Sequence, residues 1–368
     1  MGISIELFKE MKRLDASDLY LTVGRPASVR VNGVIQNLNE TELSVEHLKV
    51  LSTELLDEEQ QKDFKKTKEQ NLALYYPELG RFRVNAYVQK AQTAFVIRKI
   101  ESDIKTIDDL NLPDVLKDLS MAKRGLVLVV GATGSGKSTT LAAMIDHRNR
   151  NEAGHIITIE DPVEFVHDHK KCVVSQREVG MDTDSFKVAL KNTLRQAPTA
   201  ILIGEIRDAE TMEHAIEFAE TGHLCLATLH SNNANQTMER IINFFPIERQ
   251  RQIYLQLSLN LKGIISQRLI RTPSGSRTAA IEILVDSARA KELIKKGEIE
   301  KLKEAMISGS TDGMQTFDDA LLDLYKKGVI SEKEALANSD SPTDLKLKIK
   351  LNNSTGTKES TLEFATEE

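Results

Sequence analysis

The sequence GATGSGKS at positions 131–138 constrains this chain more than any other feature. It fits the pattern GxxxxGK[ST] in full, the Walker A pattern of phosphate-binding loops. An apolar run, LVLVV at 126–130, leads into it, and a helical pattern over 139–149 follows. Strand, glycine-rich loop and helix in that order predict a P-loop in an α/β domain. The spacing is not GxGxxG, and Lys137 directly follows the last glycine, which disfavours a dinucleotide-binding Rossmann loop.

The residue types of this loop match what a polyphosphate requires. Glycine lets backbone N–H groups curve around phosphate oxygens without a Cβ clash, and the start of the following helix adds partial positive charge. In this motif the lysine, here Lys137, reaches the β- and γ-phosphates, and the hydroxyl of Ser138 can ligate Mg²⁺. The predicted nucleotide-binding residues are Gly131, Thr133, Gly134, Ser135, Gly136, Lys137, Ser138 and Thr139.

Two further apolar runs of the same domain end in acidic residues. The first continues as ITIEDPVE over 157–164, where Pro162 should end the strand and leave three acids, including Glu164, at its carboxyl edge. The second, ILIGEIRD over 201–208, places Glu205 directly after a glycine, as an atypical Walker B strand. A P-loop needs acids nearby to hold Mg²⁺ and to prepare water. Each acid singly is equally consistent with a solvated loop or a helix cap, but two such strand ends favour function.

Histidines flank the next predicted strand, LCLATL at 224–229. His223 precedes it and His230 follows it, so His230 is a candidate for sensing the γ-phosphate or its metal, although a lone histidine is more often structural. His167 and His169 have the spacing of a metal pair, but no third ligand is evident in the sequence. We therefore interpret both as solvated loop residues.

The length of 368 residues predicts two to three domains. Short strand patterns and amphipathic helices over 1–100 predict a small α+β domain, and the polar stretch 101–115 predicts a linker. Residues 116–345 predict the nucleotide-binding α/β domain, whose buried runs are typical of a parallel sheet, with a helical C-terminal subdomain from about 288. Residues 346–368, rich in Ser, Thr, Asn, Lys and Glu, predict a disordered tail.

Composition narrows the class of protein further. The net charge of -6 argues against broad nucleic-acid binding. The two cysteines, Cys172 and Cys225, lie far apart without a zinc-finger pattern, which favours reduced thiols and a cytoplasmic location. No apolar run approaches the ~20 residues of a membrane-spanning helix, so we expect any membrane association to be peripheral, without a spanning or covalent anchor.

Taken together, GATGSGKST, ITIEDPVEF, LIGEIRD and TGHLCLATLHSNNA resemble the secretion-ATPase superfamily that drives type IV pili and type II secretion. The resemblance covers nearly the whole chain. The short N-terminal region and the lack of a four-cysteine zinc motif resemble the type IV pilus retraction ATPases of the PilT/PilU family. The stretches NTLRQAP, ETMEHAIEFAETGHLCLATLH and RIINFFP resemble PilU members more than PilT members.

This resemblance implies a PAS-like N-terminal domain joined to a RecA-like P-loop ATPase core, assembled as a hexameric ring with ATP and Mg²⁺ between domains of neighbouring protomers. Glu164 would be the base that polarises water, and Glu205 would support Mg²⁺ directly or through a water. His230, and with it His223, would couple nucleotide state to domain motion. The residues to which the resemblance assigns catalytic roles are Glu164, Glu205, Arg81, Arg83, Arg98 and His230.

The arginines are expected to reach the phosphates from the N-terminal strands. Arg81 and Arg83 are spaced i, i+2 on a predicted strand, so both side chains should point to the same face. An arginine finger of this kind is worth about 10³–10⁵ in rate. A solvated strand face remains the alternative for each arginine taken singly.

The implied function is an ATP-driven hexameric motor that assists pilus retraction and twitching motility. It would be accessory to a PilT-like motor and would act at the cytoplasmic side of the inner membrane with the pilus platform protein. Two alternatives stay open, and two departures from the family pattern favour the first of them: Thr199, where Asp is frequent, and Ala288–Ile294, where PilT-type motors carry AIRNLI. The alternatives are an ATP-binding docking module with slow hydrolysis and the primary retraction motor; a nucleic-acid motor is disfavoured by charge.

Overall fold

The computed structural model describes residues 2–355. The chain divides into two compact units. Unit 1 comprises the residues up to Asp103 together with Val163–Val166, and unit 2 comprises Ile104–Pro162 together with the residues from His167 onward. No helix among the described residues is both long enough and apolar enough to cross a bilayer.

Unit 1 is an antiparallel sheet packed against helices. Its helices are α1 (Ile3–Arg13), α2 (Val45–Leu55) and α3 (Glu58–Thr67). Its strands are β1 (Asp18–Leu21), β2 (Pro26–Val31), β3 (Val34–Glu42), β4 (Glu69–Tyr76), β5 (Gly80–Gln89) and β6 (Gln92–Ile100). The strand order is β3-β2-β1-β6-β5-β4, and every neighbouring pair is antiparallel.

A two-residue turn at Asn32-Gly33 forms a hairpin. It joins β2 to β3, and both turn residues have positive φ, 50° and 83°, as a two-residue primed turn requires. Strand β4 was not predicted from the sequence, because only Leu72 of its eight residues is buried and the burial pattern does not alternate cleanly. Phe8 of α1 stacks on Phe82 of β5 with ring centroids 4.5 Å apart, which marks the buried face of the sheet.

Unit 2 is a three-layer α/β structure. Its strands are β7 (Gly125–Val130), β8 (Gly154–Glu160), β9 (Cys172–Glu178), β10 (Ala200–Ile203), β11 (Leu224–Leu229), β12 (Leu261–Arg271) and β13 (Arg277–Val285). Its helices begin with α4 (Val115–Ser120), α5 (Lys137–Asn151), α6 (Phe186–Thr193), α7 (Ala209–Glu220), α8 (Ala234–Asn243) and α9 (Ile247–Asn260). They end with α10 (Ala288–Lys296), α11 (Leu302–Ser308), α12 (Phe317–Lys326), α13 (Glu332–Asn338) and α14 (Pro342–Thr355).

The sheet of unit 2 has the order β13-β12-β7-β11-β10-β8-β9. Neighbouring strands from β12 to β9 run parallel, as expected for fully buried apolar runs. The strands predicted from buried apolar runs are therefore all parallel, and β13, outside those runs, pairs antiparallel with β12 through a local hairpin. Helices α4 and α5 contribute to the core on one face, and α6–α11 contribute to the core on the other.

Two expectations about chain organisation need correction. The segment 101–115 is not a free linker, since Ile107 and Leu112 are buried in the core of unit 2 beside α4. The tail expected to be disordered from residue 346 instead continues helix α14 as far as Thr355, because Leu345 and Ile349 are spaced four residues apart and bury the same helix face. The remainder of that expectation, residues 356–368, lies outside the described residues.

The helical subdomain expected from about 288 stays a prediction, since α10 and α11 pack in the same core as α6–α9. Helices α12–α14 form a small core of their own against the β12–β13 hairpin, containing Ile270 and Phe317. Arg268 of β12 links the hairpin to these helices. Its guanidinium lies 3.7 Å from the Phe317 ring centroid. It also donates hydrogen bonds to the Asn338 carbonyl at 2.6 Å and to the Asp340 carboxylate at 2.8 Å.

Candidate nucleotide-binding site

The Walker A segment forms a loop between a buried strand and a helix, as predicted. All six residues of β7 are buried, and α5 begins at Lys137. The ammonium of Lys137 donates to the carbonyls of Gly131 (2.9 Å) and Ala132 (3.0 Å), which holds it against the loop. Ser138 and Thr139 lie in the first turn of α5, where backbone N–H groups lack partners within the helix. The arrangement is suited to binding phosphate oxygens.

The glycines of the loop are required for two separate reasons. Gly131, Gly134 and Gly136 have φ values of 155°, 75° and 89°, which L side chains rarely adopt. At Gly131 a Cβ would also meet the hydroxyl of Ser135 and, at 2.6 Å, the backbone oxygen of Gln267. At Gly134 a Cβ would meet no atom within 4 Å. Against the rest of the protein, Gly134 is therefore required for its backbone conformation and Gly131 also for space.

Gln267 of β12 packs against the P-loop and the first turns of α5. The sequence did not predict this role. The amide nitrogen of Gln267 lies 2.8 Å from where a Gly136 Cβ would stand, and its amide oxygen accepts a 2.7 Å hydrogen bond from the Thr140 hydroxyl of α5. The residue is only 4% exposed. Because β12 pairs with β7, Gln267 lies beside the P-loop although it is far away in sequence.

Glu205 lies two positions after the end of β10 and contacts two basic side chains. One carboxylate oxygen is 3.3 Å from Nε2 of His230, which follows β11 as predicted. The other accepts from Arg207 Nε at 2.8 Å and lies 2.6 Å from its Nη2, and this hydrogen bonding raises the pKa of Arg207. The ends of β10 and β11 are tied together, since the Ile206 N–H donates to the Thr228 carbonyl at 2.8 Å. Glu205 and His230 are thus brought together at the carboxyl edge of the sheet.

A groove of about 670 Å³ opens beside this edge. It is bordered by Gly131 and Ala132 of the loop, by His230, and by Gln236 and Arg240 on the exposed face of α8. The P-loop and the histidine segment therefore share one open surface within unit 2.

The acidic segment after β8 divides between the two units. Glu160, the last residue of β8, accepts hydrogen bonds from Thr158 (2.6 Å) and Gln176 (3.3 Å). Glu164 is exposed and belongs to the stretch grouped with unit 1, where the N–H of Val166 donates to the carbonyl of Glu101 at 3.0 Å. Its predicted role as catalytic base stays a prediction.

The arginines expected to contact phosphates lie on one face of the unit 1 sheet. Arg81 and Arg83 alternate with the buried Phe82 and Val84, so they share the face opposite the core. Arg83 pairs directly with Arg98 of β6. All three arginines therefore lie at neighbouring positions of one surface.

A buried carboxylate pairs with one of these three arginines, Arg98, and with a further arginine, Arg30. Asp18, only 3% exposed, lies between Arg98 and Arg30 in the strand register. Arg98 Nε donates to it at 2.8 Å, and Arg30 Nε is 3.8 Å away. The hydrogen bond to Asp18 raises the pKa of Arg98, and the charge of Glu164 acts in the same direction. Neither Asp18 nor Arg30 was predicted as part of this group.

Other residues named in the sequence analysis lie away from the P-loop, and one of them, His167, is buried where a solvated position was expected. Thr199 precedes β10 at the amino edge of the sheet, where its hydroxyl and N–H bond His155; at about 3.3 Å per residue this is roughly 16 Å from Gly204. His223 likewise precedes β11. His167 is buried rather than solvated, and burial lowers its pKa to about 4, while His169 is exposed.

The fold and site together define a P-loop nucleotide-binding protein with a mixed α/β core. The sequence profile of the type II/IV secretion system protein family matches residues 3–346, and the chain belongs to this family. This confirms the predicted family and the α/β fold class.

Individual relatives extend this assignment. The chain is 53% identical over 347 residues to the type IV pilus ATPase PilU of Pseudomonas aeruginosa, covering 94% of this chain and 91% of PilU. It is 42% identical over 337 residues to the type IV pilus retraction ATPase PilT of the same organism, covering 92% and 98%. A crystal structure of the pilus retraction motor PilT with bound ADP superposes with a TM-score of 0.87 at 39% identity, covering 94% of this chain and 99% of that one.

Proposed function

We propose that this chain is an ATP-hydrolysing motor that assists type IV pilus retraction beside a PilT-type motor. The observation that carries the proposal is the complete P-loop, with Lys137 at the start of α5 and Glu205 and His230 at neighbouring strand ends. The identity to PilU over 94% of the chain, higher than that to PilT, supports an accessory role.

The residues of unit 2 fit ATP and Mg²⁺. The glycine cradle and the first turn of α5 would receive the β- and γ-phosphates, with Lys137 neutralising their charge and the Ser138 hydroxyl ligating Mg²⁺. Mg²⁺ in such sites keeps several waters and takes few protein ligands, and Glu205 would order one of those waters. Glu164 would polarise the attacking water.

The proposal includes a hexameric ring with nucleotide between protomers. In that ring Arg81, Arg83 and Arg98 would approach the phosphates and stabilise the charge that develops during hydrolysis. Ring closure would then control turnover. The motor would act peripherally at the cytoplasmic side of the inner membrane, at the pilus platform protein.

The test is steady-state Mg²⁺-ATPase activity of the purified chain, alone and mixed with a PilT-type partner. Lys137→Ala should abolish hydrolysis, whereas Lys123→Ala, an exposed lysine just before β7, should leave it unchanged. Unchanged turnover in Lys137→Ala would refute the site. Activity that appears only in the mixture, with retraction in cells indifferent to Glu164→Gln, would instead favour a docking module.

A further inference from the structure

A buried acid outside the predicted site contacts the histidine segment. Glu282 of β13 is 1% exposed. Its Oε1 accepts hydrogen bonds from the Ala234 N–H at 2.8 Å and from the Ser266 hydroxyl at 3.1 Å. Ala234 is the first residue of α8, four positions after His230. Glu282 therefore holds the end of the loop that carries His230.

The surroundings explain why a carboxylate is tolerated there. Burial raises the pKa of Glu282, and an isolated buried charge is costly. The amino terminus of a helix favours negative charge, and its first N–H groups need acceptors. Asn233 caps the same helix by accepting from the Gln236 N–H at 2.9 Å. Two side chains, one local and one from β13, thus fix where α8 begins.

The loop between β11 and α8 has few other restraints. The Ser231 and Thr237 hydroxyls are hydrogen-bonded at 2.6 Å. This bond joins the loop to α8 and does not attach the loop to the sheet. The bond from Ala234 to Glu282 spans 48 residues and links the loop to the hairpin. His230 lies at the other end of this short loop, 3.3 Å from Glu205. A shift of the α8 start would therefore be felt at the pair of His230 and Glu205.

We infer that Glu282 is a positioning residue of the nucleotide site, which aligns His230 with Glu205 by anchoring the first N–H of α8. The inference rests on the proposed function. The anchoring strand pairs with β12, which carries Gln267 beneath the P-loop. One hairpin thereby supports both the phosphate loop and the histidine loop through separate side chains.

The test compares two substitutions of nearly equal size. Glu282→Met removes the acceptor oxygen, whereas Glu282→Gln keeps an oxygen that can accept from Ala234 and Ser266. We expect kcat for ATP to fall about tenfold in Glu282→Met, with the Kd for ADP changed less than twofold because Gln267 still supports the P-loop. Glu282→Gln should recover most of the lost rate.

A control separates positioning from loss of stability. Ile283→Ala removes a buried side chain from the adjacent position of β13, whose side chain packs in the core on the opposite face of the sheet. All variants are assayed at a temperature where circular dichroism shows each folded, and Ile283→Ala should keep the kcat of the unmodified chain. An equal loss of kcat in Ile283→Ala and Glu282→Met would overturn the inference.

A double-mutant comparison tests the route of the effect. If Glu282 acts through the histidine loop, Glu282→Met should cost less than twofold in a chain that already carries His230→Ala. A full tenfold loss in that background would refute the route through His230. Failure of Lys137→Ala to abolish hydrolysis would refute the proposed function itself, independently of these outcomes.

Discussion

Replacing Gly131 by alanine should be far more damaging than the same change three residues later at Gly134. A Cβ on Gly131 would lie 2.6 Å from the backbone oxygen of Gln267 and also against the Ser135 hydroxyl. The hydroxyl can rotate, but the carbonyl cannot, because Gln267 is held in β12 by its pairing with Ile281 of β13. Gly134 has open space at the Cβ position.

The magnitudes follow from these two environments. At Gly131, backbone strain of about 1–3 kcal/mol adds to overpacking of about 1–3 kcal/mol, which gives roughly 2–6 kcal/mol in total. For a unit of this size each kcal/mol lowers Tm by about 2–4 °C, so Gly131→Ala should lower Tm by about 4–24 °C. Gly134→Ala carries only the left-handed backbone cost of about 1–2 kcal/mol, or about 2–8 °C.

Thermal unfolding with and without ADP measures both effects at once. A ligand that binds only the folded state raises Tm, and this rise should be lost in Gly131→Ala because the loop must move away from Gln267. Adding Ser135→Ala to Gly131→Ala should restore little, since the carbonyl contact remains. If Gly131→Ala proved as mild as Gly134→Ala, the argument from the Gln267 contact would be wrong.

Two further predictions concern residues away from the loop. Thr199→Val should leave kcat unchanged and alter only stability, because Thr199 bonds His155 at the opposite edge of the sheet; a tenfold fall in ATPase rate would contradict this. Burial lowers the pKa of His167 to about 4, against about 6.5 in an unfolded chain. Between these pH values the unfolded state binds a proton that the folded state does not, so the free energy of unfolding decreases as pH falls. From pH 7 to 4.5 this amounts to about 2.5 kcal/mol. Urea unfolding of His167→Gln should lack this part of the decrease, and identical pH dependence in both chains would refute the assignment.

Local sequence patterns were sufficient for the parts of the site that are contiguous in the chain. The P-loop, the position of Glu205 after β10, and His223 and His230 on either side of β11 all follow from an apolar run and the residues next to it. Such patterns also predict which residues lie close together, because the carboxyl ends of parallel strands meet at one edge of the sheet.

Residues supplied from distant strands were not predictable in this way. Gln267 and Glu282 are polar residues inside strands, and only the pairing of β12 with β7 and β13 places them at the loops. The tail shows a related limit: LKLKIKL alternates with a period of two, yet it forms helix because Leu345 and Ile349 fill the core beside Phe317. In each case tertiary packing, and not the local sequence pattern, determines the structure that the residues adopt or the site that they reach.

The support that Gln267 gives to the P-loop sets an order of events during synthesis of the chain. Gln267 follows Thr140, its hydrogen-bond partner, by 127 residues. At about 5–20 residues per second, a ribosome needs roughly 6–25 s between the two. During that interval the nascent glycine loop lacks the strand beneath it, and the phosphate cradle is complete only once β12 has been made. A chain released early, before β12, would carry the whole Walker A sequence and still lack the strand that supports the loop.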